Sequence, residues 1–131
     1  MVFMHTPRPT NVFIVDDSVW IRARLAEALC RLPEVTVVGE AATASAAVAG
    51  ILRTRPDSVV LDLNLAGRSG LDVMRAVRPE APEVVFIVLT NHCESQYRDA
   101  CVAAGATYFL DKSRDFERVP SVIAEIAATP H

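Results

Sequence analysis

Five side chains able to hold or move a phosphoryl group stand at or beside the ends of apolar runs. Asp16 and Asp17 follow residues 11–15, Asp62 falls near the end of 58–63, Thr90 follows 84–89, and Lys112 lies just past 107–110. Carboxylates meeting in one place repel one another unless a cation sits between them, and hard oxygen ligands suit Mg2+ better than Zn2+. A lysine adds a mobile positive charge and a threonine a hydrogen-bond donor. That equipment fits phosphoryl transfer: a metal and a lysine neutralise the phosphoryl oxygens while a carboxylate attacks in line. Taken singly, most of these residues have plain explanations. Asp16-Asp17 ahead of a helix is a cap-and-dipole pair, Thr90 a strand-end residue and Lys112 a surface lysine. Asp62 resists such an explanation, because an unpaired charge inside an apolar run is costly. The joint pattern carries the reading.

The elements that must position these residues alternate along the chain. Residues 11–15 form a short apolar run suited to a strand buried on both faces. Ser18 is an N-cap for a helix with Ile21, Leu25, Ala28, Leu29 and Leu32 at helical spacing, stopped by Pro33. A second strand is predicted over 35–38 and a second helix over 43–54, ended by Arg55-Pro56. A third strand spans 58–63, a loop covers 66–70, and a short helix covers 71–77. A fourth, purely apolar strand occupies 84–89. The fourth helix runs over 95–104 with Gly105 at its C′ position, and a fifth strand over 107–110. Pro120 cannot lie deep in a helix, so a turn over 115–118 precedes a last helix beginning near Val119. Strands alternating with helices imply α/β architecture, a parallel five-stranded sheet wound on both faces. Ligands of such open sheets bind beyond the carboxyl ends of the strands.

A chain of 131 residues is sized for one domain, expected over 11–128, with a flexible lead-in over 1–10 and a short tail over 129–131. A formal net charge of -3 gives no electrostatic footprint for nucleic acid. The longest apolar run, 84–89, is too short to span a bilayer, and the N-terminus lacks a signal-peptide core; a cytoplasmic protein without membrane contact is expected. Cys30, Cys93 and Cys101 are odd in number and lack metal-ligand spacing, which reads as reduced, mostly buried thiols.

Several motifs resemble the receiver domain of two-component response regulators in order and spacing. They are Val15-Asp16-Asp17-Ser18 with Arg22, Leu25 and Leu29; Val38-Gly39-Glu40-Ala41; Pro56-Asp57-Ser58 through Leu61-Asp62-Leu63-Asn64-Leu65; Gly67 with Ser69-Gly70; Val88-Leu89-Thr90; and Gly105-Ala106 followed by Phe109-Leu110-Asp111-Lys112-Ser113. The resemblance implies a (βα)5 fold of strand order 2-1-3-4-5, as in flavodoxin and the chemotaxis regulator. It makes Asp62 the phosphoacceptor, and Asp16, Asp17, Asp62 and the backbone carbonyl of Asn64 the Mg2+ ligands. Lys112 and Thr90 contact the phosphoryl group, and Phe109 takes the aromatic switch position. Asn64 and His92 occupy positions that influence phosphoryl lifetime. Helix one, with Trp20 and Ile21 on its first turn, is the surface that docks on a sensor histidine kinase or histidine phosphotransfer protein. With no output domain, the signal would leave by contact with a downstream protein or by onward phosphotransfer, from a monomer or weak homodimer.

Some residues depart from the family pattern. Phe109 replaces a common tyrosine, Ala66 a frequent proline, and Ser113 a frequent proline after Lys112, which leaves the isomer of that bond open, since the family's cis form is costly before a residue other than proline. These departures leave room for a degenerate receiver that binds a partner without phosphorylation. A haloacid-dehalogenase-type phosphatase fits worse, since Asn64 stands where a second aspartate is needed and the acidic pair precedes the lysine. A flavodoxin-like FMN protein is weaker still, because Asp16-Asp17 would repel the FMN phosphate.

Overall fold

The computed structural model describes residues 9–66, 68–92 and 94–128. Five strands form one parallel sheet: β1 (Thr10–Val15), β2 (Val35–Ala41), β3 (Ser58–Leu61), β4 (Val85–Thr90) and β5 (Ala106–Asp111). Their order is β2-β1-β3-β4-β5, as the resemblance implies. Five helices connect and close it: α1 (Val19–Cys30), α2 (Ala44–Thr54), α3 (Gly70–Val77), α4 (Ser95–Ala104) and α5 (Val119–Ala128).

The strands are apolar on both faces because both faces are covered. Val12, Ile14, Val60, Ile87 and Leu89 pack against Leu25 and Leu29 of α1 and Val119, Val122, Ile123 and Ile126 of α5. The opposite face sets Phe13, Val15, Val59, Leu61, Phe86 and Val88 against α2, α3 and α4. Phe13 shapes that second layer, since a Cβ at Gly39 or Gly50 would come within 2.5 or 2.6 Å of its ring.

Several boundaries move, each for a local reason. β1 starts at Thr10, inside the expected lead-in, because the Thr10 N–H donates to the Glu34 carbonyl (2.7 Å). β2 continues past residue 38 to Ala41, with an irregular register where Val12 and Phe13 face Val37 and Gly39. β3 ends at Leu61 rather than 63, so Asp62 is the first residue past the strand. A two-residue antiparallel hairpin, Asn64–Leu65 with Arg68–Ser69, occupies the expected loop, and α3 begins at Gly70 with Ser69 as N-cap. Arg55 ends α2 as expected but in the left-handed conformation (φ 50°), its N–H bonded to the Ile51 carbonyl at 2.8 Å. Gly105 caps α4 at φ 110°, and a 3-10 turn (Phe116–Arg118) precedes α5. Cys30 is exposed, against expectation, and Cys101 is buried, its thiol pushed up to about 11 by burial. Cys93 and Gly67 lie outside the described residues. No described helix is long and apolar enough to cross a membrane.

Candidate functional site

The carboxyl edge of the sheet gathers the residues that the strand ends carry. Asp16 follows β1 directly, its N–H donating to the Ala41 carbonyl of β2 (3.1 Å). Its Oδ1 accepts the Ser18 N–H (2.8 Å), which folds the chain into α1, where the Ser18 hydroxyl accepts the Ile21 N–H (3.3 Å). Asp62 sits at the same level because its N–H donates to the Val15 carbonyl (2.9 Å). Its Oδ1 accepts the Asn64 N–H (3.2 Å), which starts the small hairpin. Gly70 is required behind it: a Cβ there would collide with the Asp62 carbonyl oxygen, so α3 could not begin so close.

Lys112 reaches this pair from the end of β5, held there by its N–H donating to the Thr90 carbonyl (2.8 Å). Its Nζ lies 2.7 Å from Asp16 Oδ2 and 2.9 Å from Asp62 Oδ2. Asp16, Asp62 and Thr90 are buried, whereas Asp17 is exposed at the rim. One oxygen from each of Asp16, Asp17 and Asp62 falls within 4.8 Å of the others. Burial pushes the Asp62 carboxyl above the usual carboxylate range; the Lys112 hydrogen bond and charge and the Asn64 N–H pull it back without cancelling that rise, and Asp16 adds to it. Burial opposes the Lys112 charge too, but hydrogen bonds to Asp16 and Asp62 outweigh it and raise that group above its ordinary value.

Two buried carboxylates therefore share a single ammonium, with a third carboxylate open to solvent beside them. An all-oxygen donor set with surplus negative charge and one open side fits a hard divalent cation. A buried carboxylate with a raised pKa, flanked by a lysine and beside two further carboxylates, marks this cluster as the candidate functional site.

The remaining expected residues spread around this centre. The Thr90 Oγ1 accepts the His92 N–H (3.2 Å). His92 and Asn64 line one cleft with Arg68 and Tyr97, the His92 and Tyr97 rings 5.4 Å apart. Phe109, half-buried in β5, packs on the α2–α4 side of the core, with the Arg98 guanidinium 5.4 Å from its ring centroid. Trp20 is 79% exposed on the first turn of α1, while Ile21 is half-buried against the core. Among the described residues no peptide bond is cis, so Lys112–Ser113 is trans. Asp115 was not singled out in the sequence: its Oδ2 accepts the Asp111 N–H (3.0 Å), clamping the turn that follows Lys112. An acidic residue four positions past Asp111, in a segment too short for a helix, was the available signal.

A family model described as the response regulator receiver domain matches residues 12–124. The DNA-binding transcriptional activator DevR/DosR of Mycobacterium tuberculosis is 29% identical over 118 residues, 90% of this chain and 54% of that protein. Protein-glutamate methylesterase/protein-glutamine glutaminase 1 of Carboxydothermus hydrogenoformans is 35% identical over 117 residues, 88% of this chain and 34% of that protein. The chain thus spans between a third and about half the length of these relatives. A crystal structure of a LuxR-family two-component response regulator from an Aurantimonas species superposes with a TM-score of 0.82 at 31% identity, covering 90% of this chain and 85% of that one.

Proposed function

The chain belongs to the response regulator receiver domain family of two-component signalling, and from that premise we propose that it takes a phosphoryl group onto Asp62 from a partner's phosphohistidine. The observation that carries this reading is the pair of buried carboxylates bridged by Lys112 at 2.7 and 2.9 Å. One Asp62 oxygen attacks phosphorus in line, the phosphorus–nitrogen bond breaks, and the imidazole leaves with the electron pair. Lys112 turns from the carboxylates to the phosphoryl oxygens, and the Thr90 hydroxyl donates to another. Asp16, Asp17, Asp62 and the Asn64 carbonyl would hold Mg2+, whose charge offsets the repulsion between an anionic nucleophile and an anionic donor. Asp62 then carries about -1.5 to -2 charges at neutral pH, with new acceptor oxygens that Thr90 and Lys112 must follow. That local change biases Phe109 and the α4–β5–α5 face, through which the signal leaves.

The partner is a sensor histidine kinase or histidine phosphotransfer protein. Support comes from the exposed Val19 and Trp20 on α1 and from a groove beside Lys112 lined by Ile21, Arg24 and Phe116, where Arg24 lies 4.2 Å over the Phe116 ring. Exposed aromatic side chains that a partner buries dominate docking energies. Asn64 and His92, sharing one cleft at the site, set how readily water reaches the phosphoryl group.

Intact-mass analysis with acetyl phosphate and Mg2+ tests the reading. Wild type is expected to gain one phosphoryl mass, lost in Asp62→Asn. Folded wild type that gains none would favour a phosphorylation-independent binding module instead.

A further inference from the structure

Arg22 makes a pair of contacts that the fold alone does not require. β1 ends at Val15, so the Asp16 carbonyl has left the sheet ladder, and the Arg22 Nη1 donates to it at 2.6 Å. The Arg22 Nε donates to Glu40 Oε1 at 3.2 Å, and Glu40 stands opposite Ile14 in the β1–β2 register. The Arg22 side chain as a whole is 17% exposed. It ties the Asp16–Asp17 peptide to the end of β2. Asp17, by contrast, has no hydrogen bond or ion pair of its own among the described residues. The direction in which its carboxylate leaves the chain is therefore set by the peptide it shares with Asp16.

We infer that Arg22, anchored by Glu40, is a positioning residue of the cation site: it fixes the Asp16–Asp17 peptide so that both carboxylates converge on Asp62. This rests on the reading of that cluster as a Mg2+ site. The chemistry of the side chain supports it. A cation placed beside a cation site repels its ligand, so charge alone would select against arginine here. The planar guanidinium offers donors in two fixed directions, one used on the carbonyl and one on Glu40, and Glu40 offsets its charge. Lysine has no such fork.

Charge and geometry therefore predict opposite results. Arg22→Met removes the repelling charge, which alone would tighten Mg2+ binding; loss of positioning loosens it. Arg22→Lys keeps the charge and loses the fork. Mg2+ titration of the whole chain by calorimetry, with Mg2+-free thermal melts as a control for folding, is expected to show half-saturation raised about tenfold in both variants, the usual scale for residues that orient metal ligands. Glu40→Ala, at an exposed edge position, removes the anchor without disturbing the core and is expected to move half-saturation the same way by less. Unchanged or tighter binding in Arg22→Met, or folded variants whose melts fall while half-saturation stays put, would overturn the inference alone. Wild type that binds no Mg2+ would overturn the functional reading and this inference with it.

Discussion

Asp62 and Asp115 flank Lys112 in the same corner of the molecule, yet their surroundings treat them oppositely. Asp62 is pushed above the usual carboxylate range, chiefly by burial, which its partners Lys112 and Asn64 do not fully offset. Asp115 is held below it, chiefly by the Asp111 N–H, with Arg114 and Arg118 adding to the effect. The second arrangement stabilises a charge that is never asked to react: it clamps the turn between β5 and α5. The first keeps a carboxylate short of neutralising partners, so that a hard cation would have something to gain there. A strained ionisable group in a cluster and a satisfied one in a turn are separated by environment, not by residue type.

The sharpest way to break this contrast is to remove the shared ammonium. Lys112→Met leaves Asp16 and Asp62 facing each other without a cation, and deleting one member of a buried ionic group costs about 3 kcal/mol. Urea unfolding in chelator at neutral pH should show a loss of that order, recovered in part when Mg2+ is added. An unchanged midpoint in chelator would mean that the carboxylates are not held by Lys112. Next in size is the metal's own contribution. At ten times its dissociation constant Mg2+ should stabilise wild type by about 1.4 kcal/mol. Asp17→Asn, which removes an exposed carboxylate and no fold contact, should abolish most of that increment. Asp115→Asn should retain all of it; a shared loss would place Asp115 in the metal site.

How far the sequence foreshadows this corner follows from what each feature depends on. Asp16, Asp62, Thr90 and Lys112 are legible because parallel strands buried on both faces are nearly pure apolar runs, and a polar or charged residue at the end of such a run stands out. The turn ahead of Val119 is legible because Pro120 and the apolar steps of α5 leave little freedom, whereas the sheet order is read from the family resemblance and not from the apolar runs, which fix only a parallel sheet. The hairpin at Asn64–Leu65 and Arg68–Ser69 is not, because two-residue strands have no period to read; it exists because Asp62 Oδ1 takes the Asn64 N–H and Ser69 caps α3. Asp115 and Arg22 are missed as working residues because their partners are backbone groups, the Asp111 N–H and the Asp16 carbonyl, which sequence does not mark.

The smallest expected effect reads the contrast through pH. For Asp62 the folded-state pKa is raised, so its protonated form favours the native state below the unfolded value, and that stability is lost as pH rises through the folded pKa. Asp62→Asn escapes the loss and should gain on wild type as pH rises across this window. For Asp115 the folded pKa is depressed, so its contribution is present above the unfolded value and disappears as pH falls through the folded one. Asp115→Asn should therefore match wild type in acid and fall behind it as pH rises. Urea midpoints of the two variants in chelator, from roughly pH 3 to pH 7 where carboxylates titrate, should diverge in opposite directions from wild type. Because the Asp111 N–H rather than arginine charge leads the effect at Asp115, Arg118→Ala should leave that carboxyl below its ordinary value in an NMR titration. Two curves bending the same way would mean that Asp62 is as satisfied as Asp115, removing the energetic reason to read it as the acceptor.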